Sequence, residues 1–322
     1  MRAVNFNVDV SDGDRRRRLY DGELFVFGTS RTVSDFCAFA RELIEEAFPG
    51  LDPEKAQFEM PVERYAAILT DLKPRFIHHL RSKQFVRAIL AERGCDLDRT
   101  YFDVPRMRSS TSNDYLTSGI AYAWHPHRDT WYSAPAAQIN WWLPIYTMEA
   151  SNGMAFHTPY FDTAVANTSS TYNYYEWNAK YRRAASENLK QDTRPLPGPT
   201  AAIDSSHDIA LVIPVGGVQL FSAAQLHSSV PNQSGKTRFS IDFRTVNIDD
   251  IAAGLGAANV DNASTGSSIR DFIRASDFAP MPEAIVRLFD DGSEQNATEL
   301  LYQGNVQSAS LARSAQTTSA AD

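Results

Sequence analysis

The chain has 322 residues, of which 43% are hydrophobic and 22% charged, a composition typical of a globular protein with a sizeable core. Its formal net charge of -8 argues against a protein that binds duplex nucleic acid, because such a protein needs a basic face. With only Cys37 and Cys95, no signal-peptide pattern and no run of 18 apolar residues, we expect a cytoplasmic protein that has neither a disulfide framework nor a membrane span.

Residues 1–99 are predicted to form a strand and two helical blocks that pack on the domain that follows. The strand is expected at residues 23–27, and a helix is expected to begin near Thr32, where a capping residue precedes an early acid. The second helical block runs from Pro61 to about Arg93, with Pro74 as an interruption.

From about Thr100 to residue 247, short runs rich in Tyr, Trp, Val and Ile alternate with turn residues, which indicates strands and turns. In residues 138–143, polar and apolar side chains alternate, so Gln138, Asn140 and Trp142 should face one side of a strand. Such a pattern predicts a mainly β domain over residues 100–247.

A long segment at residues 163–206 interrupts this β-rich region. It is rich in Tyr, Asn and Thr, and a helix is predicted around residues 174–188. An insertion of this size is either a lid over a binding site or an excursion that covers a sheet edge.

The region after the β-domain changes character again. Residues 248–306 carry helical patterns at 268–275 and 282–289, and we expect a helical C-terminal extension. Residues 307–322 consist largely of Ala, Ser and Thr, which predicts a disordered tail.

Three residues form a candidate metal site: His127, Asp129 and His227. Two imidazoles and one carboxylate can occupy one face of an octahedral Fe(II) and leave three positions open for a cosubstrate and O2. Residues two apart on a strand point to the same side, so one strand end is expected to present both His127 and Asp129.

The sequence around the second histidine carries a family resemblance. Residues 216–221, 227–232 and 238–240 together resemble the C-terminal motif of the phytanoyl-CoA dioxygenase-like Fe(II)/2-oxoglutarate oxygenases, and residues 143–156 look like that family's mid-domain strand and Asn-Gly turn. The resemblance covers about residues 100–247. It implies a double-stranded β-helix (a cupin-like jelly roll) and a reaction that uses Fe(II), 2-oxoglutarate and O2.

The resemblance also implies cosubstrate-binding residues. Arg238 follows the second histidine by 238 − 227 = 11 residues, as in the family, and would bind the distal carboxylate of 2-oxoglutarate. Ser240 lies on the same face of the strand and can add a hydrogen bond, and Gln138 is a further candidate contact. Arg244 shares that face if the strand stays regular, and it is either a second anion contact or part of an outward ion pair at the strand's end; we favour the ion pair.

The expected reaction is hydroxylation of a small polar molecule, with release of succinate and CO2. Halogenating relatives lack the carboxylate ligand, so Asp129 favours hydroxylation. A fainter resemblance of residues 125–146 to bacterial hydroxylases of the sugar acid Kdo suggests a sugar acid, and a natural-product intermediate is the other candidate. Five residues are expected to contact the substrate: His125, Arg106, Arg108, Trp142 and Tyr175.

Two alternatives remain open at this point. The same iron chemistry can give desaturation, ring closure or epimerisation instead of hydroxylation. A cupin-like protein can also bind a metal or a sugar without any turnover. Arg238 and Ser240 argue against this second alternative, because a simple binding protein needs no cosubstrate site.

Overall fold

The computed structural model describes residues 3–116, 125–181 and 194–292. The expected disordered tail (307–322) lies outside these residues, as do the end of the helix expected around 174–188 and the last part of the C-terminal extension.

The described residues form eleven strands and seven α-helices. The strands are β1 (Val4–Phe6), β2 (Leu24–Phe27), β3 (Thr100–Phe102), β4 (Arg106–Ser110), β5 (Ile139–Pro144), β6 (Met154–Phe156), β7 (Ile209–Leu211), β8 (Val218–Ser222), β9 (His227–Ser229), β10 (Arg238–Asn247) and β11 (Ile273–Arg274). The helices are α1 (Asp12–Tyr20), α2 (Arg31–Ala47), α3 (Val62–His78), α4 (Leu80–Glu92), α5 (Tyr174–Lys180), α6 (Ile248–Ala252) and α7 (Glu283–Val286).

The strands are arranged as a jelly roll of two sheets. In the larger sheet, β4, β10, β5 and β8 are antiparallel neighbours, and β2 and β1 extend it on one side while β3 and β11 extend it on the other. The smaller sheet has the order β7-β6-β9, and an isolated bridge adds His127 beside His227. From β4 onward the chain passes repeatedly between the two sheets, which is the topology of a double-stranded β-helix.

The alternation predicted for β5 is confirmed and separates two cores. Ile139, Trp141 and Leu143 lie in the main hydrophobic cluster together with residues of the N-terminal helices. Trp142 faces the other way and packs with Phe221 and with residues of the smaller sheet. The helices therefore cover the outer face of the larger sheet, and the jelly-roll interior lies between the sheets.

The N-terminal helices differ from the predictions in their boundaries. The first long helix, α2, begins at Arg31, and its N-cap is Ser30, whose hydroxyl accepts a hydrogen bond from the amide of Val33. Pro74 does not end α3, because it lies at an exposed position where water can hydrate the carbonyl left without a donor. The break falls at His79, which is extended and caps α4.

The prediction of a helix over residues 268–275 is wrong. A single 3-10 turn occupies Ile269–Asp271, and the chain then forms β11, which pairs with β3. The hydrogen bonds offered by the edge strand outweigh a weak local helical preference. The pattern at 282–289 gives one short helix, α7, followed by a 3-10 turn.

No helix within the described ranges has the length and apolar character needed to cross a membrane.

Candidate metal centre

The two histidines of the candidate site are joined through their backbones. The amide of His127 donates to the carbonyl of His227 (2.9 Å), and the amide of His227 donates to the carbonyl of His127 (3.0 Å). After this bridge Arg128 is extended, and Asp129 begins a 3-10 turn, Asp129–Tyr132. The prediction that one strand end presents both ligands is therefore wrong for Asp129, because the chain turns there.

The side chains of His127, Asp129 and His227 nevertheless converge. One ligand atom from each lies within 4.8 Å of the others, and all three residues are buried. Oδ1 of Asp129 lies 3.4 Å from Nε2 of His127 and 4.0 Å from Nε2 of His227. Ligands on one octahedral face with bonds of about 2.1 Å are about 3.0 Å apart, so a small inward movement suffices to enclose one ion.

Backbone carbonyls select the tautomer of each imidazole. Nδ1 of His127 lies 2.8 Å from the carbonyl of His125, and Nδ1 of His227 lies 2.9 Å from the carbonyl of Gln225. A carbonyl can only accept, so each Nδ1 carries the proton and donates. Each Nε2 is then the basic nitrogen that faces Asp129, as in metal sites whose histidines are oriented by backbone acceptors.

The protonation states suit a metal site. Burial lowers the pKa of His227 to about 3, so this imidazole is neutral at physiological pH. Burial by itself raises the pKa of Asp129, but the adjacent His127 and the charge of Arg244 outweigh it, and the pKa lies far below its ordinary value. The site therefore offers neutral nitrogen and one anionic oxygen.

The second oxygen of Asp129 has its own partners. Nε2 of Gln138 donates to Oδ2 of Asp129 (3.2 Å), and Nε of Arg244 lies 3.6 Å from the same oxygen. Gln138, a predicted cosubstrate contact, thus touches a candidate ligand directly. The interpretation of Arg244 as an outward ion pair is wrong, because its side chain points into the jelly roll and lines a cavity.

The other predicted cosubstrate residues, Arg238 and Ser240, are also buried. Nη1 of Arg238 donates to the carbonyls of Asn152 (2.9 Å) and Gly153 (3.0 Å), and its guanidinium carbon lies 5.5 Å from the ring centre of Trp142. Within the described residues, Nε of Arg238 and Oγ of Ser240 are buried without a hydrogen-bond partner. Both atoms are therefore available to bind a ligand that enters this part of the interior.

A cavity of about 230 Å³ opens beside Asp129 and Gln138. One part of its wall is charged and comes from β4, β10 and the residues before β4: Asp103, Arg106, Arg108 and Arg244. Another part is aromatic and comes from the turn after Asp129 and from the predicted insertion: Tyr132, Tyr172, Tyr174 and Trp177. The cavity therefore joins the candidate metal site to a surface of mixed polar and aromatic character.

Two of the five predicted substrate residues, Arg106 and Arg108, line this cavity, and each is already paired. Arg106 contacts Asp103, and Nε of Arg108 donates to Asp242 (2.6 Å). Asp242 also contacts Arg244, with Oδ2 of Asp242 lying 3.6 Å from Nη1 of Arg244.

The remaining three do not line this cavity. Trp142 is buried in the apolar cluster between the sheets, and Tyr175 packs against Gly266 and the neighbouring Tyr174. Nε2 of His125 lies 2.8 Å from the carbonyl of Pro197, and the residue does not belong to the metal-ligand group.

Sequence reasoning missed the acidic partners of the arginines. Asp103 contacts both Arg106 and Arg244, and Asp242 lies on the inward face of β10. The period-two pattern of β10 places Asp242 on the same side as Arg238 and Arg244, and this was a usable signal. Asp103 precedes β4, and nothing in its local sequence distinguishes it.

No family model and no curated protein matches the chain. Solved structures similar to it include EvdO2, SnoN and ThoJ. EvdO2 from Micromonospora carbonacea var. aurantiaca, complexed with 2-oxoglutarate, is 14% identical, with 74% of this chain and 92% of that chain covered and a TM-score of 0.40. SnoN, a non-heme alpha ketoglutarate dependent epimerase from nogalamycin biosynthesis, is 13% identical (73% and 82% covered, TM-score 0.36). ThoJ, a non-heme monooxygenase, is 15% identical (67% and 69% covered, TM-score 0.35).

Proposed function

We propose that this protein is an Fe(II)/2-oxoglutarate-dependent dioxygenase that hydroxylates a small polar molecule. The observation that carries the proposal is the convergence of His127, Asp129 and His227 beside a cavity, with each Nε2 facing the carboxylate. Bound there, iron would supply O2 activation coupled to the oxidative decarboxylation of 2-oxoglutarate to succinate and CO2.

Arg238 and Ser240 fit the distal carboxylate of 2-oxoglutarate. The two carbonyls that accept from Nη1 hold the guanidinium in place, while Nε of Arg238 and Oγ of Ser240 have no partner within the described residues. A carboxylate would satisfy both atoms. Burial lowers the pKa of Arg238 to about 10, so the guanidinium still carries its charge at neutral pH.

The carboxylate ligand supports hydroxylation over halogenation. In a metal-bound protein, Asp129 would fill the coordination position that a chloride ion would need, and the residue is buried and ionised, as a ligand must be. The cavity wall then positions a C–H bond of the substrate and limits the access of water to the ion. Desaturation, ring closure and epimerisation use the same ligand set and are distinguished by product mass, because only hydroxylation adds one oxygen.

We further propose that the insertion covers the substrate. Tyr172, Tyr174 and Trp177, which line the cavity, all come from residues 163–206. Tyr172 also packs edge-on against Tyr132, which lies three residues after Asp129 in the same 3-10 turn, with ring centres 5.4 Å apart. The insertion thus contacts the loop that carries the metal ligand, which is the position expected of a lid.

A sugar acid remains a candidate substrate within this proposal. Its ring would lie on the aromatic wall, and its carboxylate would have to compete with Asp103 and Asp242 for Arg106 and Arg108. A neutral polyol or a natural-product intermediate avoids this competition. A panel that contains matched acid and neutral forms of the same sugars separates these possibilities.

The proposal is tested first without a substrate. Anaerobic addition of Fe(II) and then 2-oxoglutarate to the purified protein should give a visible charge-transfer band, and admission of O2 should give succinate. His227→Ala should abolish both signals, whereas His207→Ala, a change at an exposed histidine, should leave them intact. If the wild-type protein binds the ion but produces no succinate with any compound in the panel, the non-enzymatic binding alternative is correct.

The cosubstrate assignment has its own test. Arg238→Lys should raise the 2-oxoglutarate concentration needed for half of the charge-transfer signal, because Lys lacks the planar fork that pairs with a carboxylate. Co(II) binding in the absence of 2-oxoglutarate should not change. A wild-type concentration dependence would remove Arg238 from the cosubstrate site.

A further inference from the structure

Arg244, on the inward face of β10, contacts the candidate metal ligand Asp129. The proposed reaction does not itself require an arginine at this position. Nε of Arg244 lies 3.6 Å from Oδ2 of Asp129, while Nη1 lies 3.3 Å from Asp103 and 3.6 Å from Asp242. One guanidinium thus joins three carboxylates. Its side chain is 18% exposed, so these contacts are largely shielded from water.

Asp103 fixes Arg244 from two directions. Oδ1 of Asp103 accepts from the backbone amide of Arg244 (2.8 Å), and the amide of Asp103 donates to the carbonyl of Arg244 (3.0 Å). Asp242 is itself held by Arg108, whose Nε donates to it at 2.6 Å. The guanidinium is therefore anchored by a network that does not depend on the metal ligand.

The two oxygens of Asp129 consequently face different surroundings. Oδ1 points toward the imidazoles, whereas Oδ2 accepts from Gln138 and lies beside Arg244. Gln138 is oriented in turn, because its Nε2 also donates to Asn140 (2.9 Å). A carboxylate held in this way cannot rotate to offer both oxygens to one ion without losing both partners.

We propose that Arg244, together with Gln138, is a positioning residue that restricts Asp129 to coordination through Oδ1 alone. This inference rests on the proposed function. An octahedral ion with two nitrogens and one oxygen from the protein keeps three positions open, and 2-oxoglutarate and O2 need all three. A carboxylate bound through both oxygens would occupy one of these positions. Arg244 thus preserves the coordination site on which the reaction depends.

The test measures metal affinity without 2-oxoglutarate. Co(II) is titrated into the metal-free full-length protein, and binding is followed by calorimetry and by visible absorption. Arg244→Met and Gln138→Leu should each weaken Co(II) binding by about 10- to 100-fold, the usual effect of losing a residue that orients a metal ligand. The matched control is Arg274→Met, which removes an exposed arginine paired with Asp277.

A double variant tests whether Arg244 and Gln138 act on the same oxygen of Asp129. Because both residues hold Oδ2 of Asp129, Arg244→Met combined with Gln138→Leu should weaken binding by less than the product of the single effects. The Co(II) spectrum of Arg244→Met should also change shape, since the carboxylate is then able to bind through two oxygens. Arg274→Met should reproduce the wild-type spectrum.

Each outcome decides between defined possibilities. If Arg244→Met binds Co(II) within twofold of wild type with an unchanged spectrum, the inference is overturned, because Arg244 then has no influence on how Asp129 coordinates the ion. If Arg244→Met does not fold, Arg244→Lys decides on the same criteria, because it retains the buried charge without the fork. If the wild-type protein binds no divalent ion, the proposed function itself fails.

Discussion

Asp261 provides the strongest stability prediction. It accepts hydrogen bonds from Nε of Arg128 (3.0 Å), Nε1 of Trp131 (2.7 Å) and the amide of Val165 (3.0 Å). Arg128 is 1% exposed, and its guanidinium also donates to the carbonyl of Ala224 and to the carbonyl of Tyr160, which precedes the insertion. The buried ion pair between Arg128 and Asp261 therefore connects three parts of the chain: the segment around the candidate ligand Asp129, the insertion and the C-terminal extension.

The size of the effect follows from burial. Asp261→Ala leaves a buried guanidinium without its counter-ion, and removing one partner of a buried pair costs about 3–5 kcal/mol. Asp261→Asn keeps an acceptor oxygen and should cost less. The exposed pair Arg274–Asp277 is the control, with side chains 35% and 49% exposed, and Asp277→Ala should cost less than about 1 kcal/mol.

Urea-induced unfolding followed by circular dichroism measures these differences. With a slope of about 3 kcal/mol per molar urea, Asp261→Ala should lower the midpoint by about 1–1.7 M at an unchanged slope. Equal midpoints for Asp261→Ala and Asp277→Ala would refute the reasoning, because the buried pair would then contribute no more than an exposed one.

Three further predictions concern pH, metal and substrate. Burial lowers the pKa of Lys83 from 10.5 to about 8, so between these values the unfolded chain binds more protons and stability should rise with pH, by at most about 3 kcal/mol. Lys83→Met should lack this rise in the free energy of unfolding, measured from pH 7 to 10. If the variant and the wild-type protein have the same pH dependence, Lys83 is not the group responsible. Co(II) at 100 times its Kd should raise the unfolding free energy by about 2.7 kcal/mol, and His227→Ala should show no such gain. Trp177→Ala should raise the substrate KM while leaving Co(II) affinity unchanged; a loss of Co(II) affinity would assign Trp177 to the metal site instead.

The sequence predicted those features that depend on local periodicity. The alternation in β5 assigned its two faces correctly, because one face packs on the helices and the other faces the jelly-roll interior. The helical blocks were also found, but Pro74 suggested a break that the structure places at His79. A proline lowers helical preference at any position, whereas the actual break depends on how α3 and α4 pack.

Features that depend on long-range register were not predicted. Period two placed Arg244 on the same face as Arg238, but it does not show where along the strand the jelly-roll interior ends. The pairing of β10 with β5 keeps Arg244 opposite Asn140, inside the barrel. Similarly, the helical pattern at 268–275 gave way to β11 because β3 offers a free edge far away in sequence.

The reciprocal backbone hydrogen bonds between His127 and His227 have a consequence for the order of assembly. These residues are 227 − 127 = 100 positions apart, and closing a loop of that length costs about 4 kcal/mol in chain entropy. An ion bound at the candidate site would have no complete set of ligands before this closure, so it would not nucleate the fold. We therefore expect the polypeptide to reach its native topology first and an ion to enter a formed site, unlike the small zinc domains that fold only around their metal.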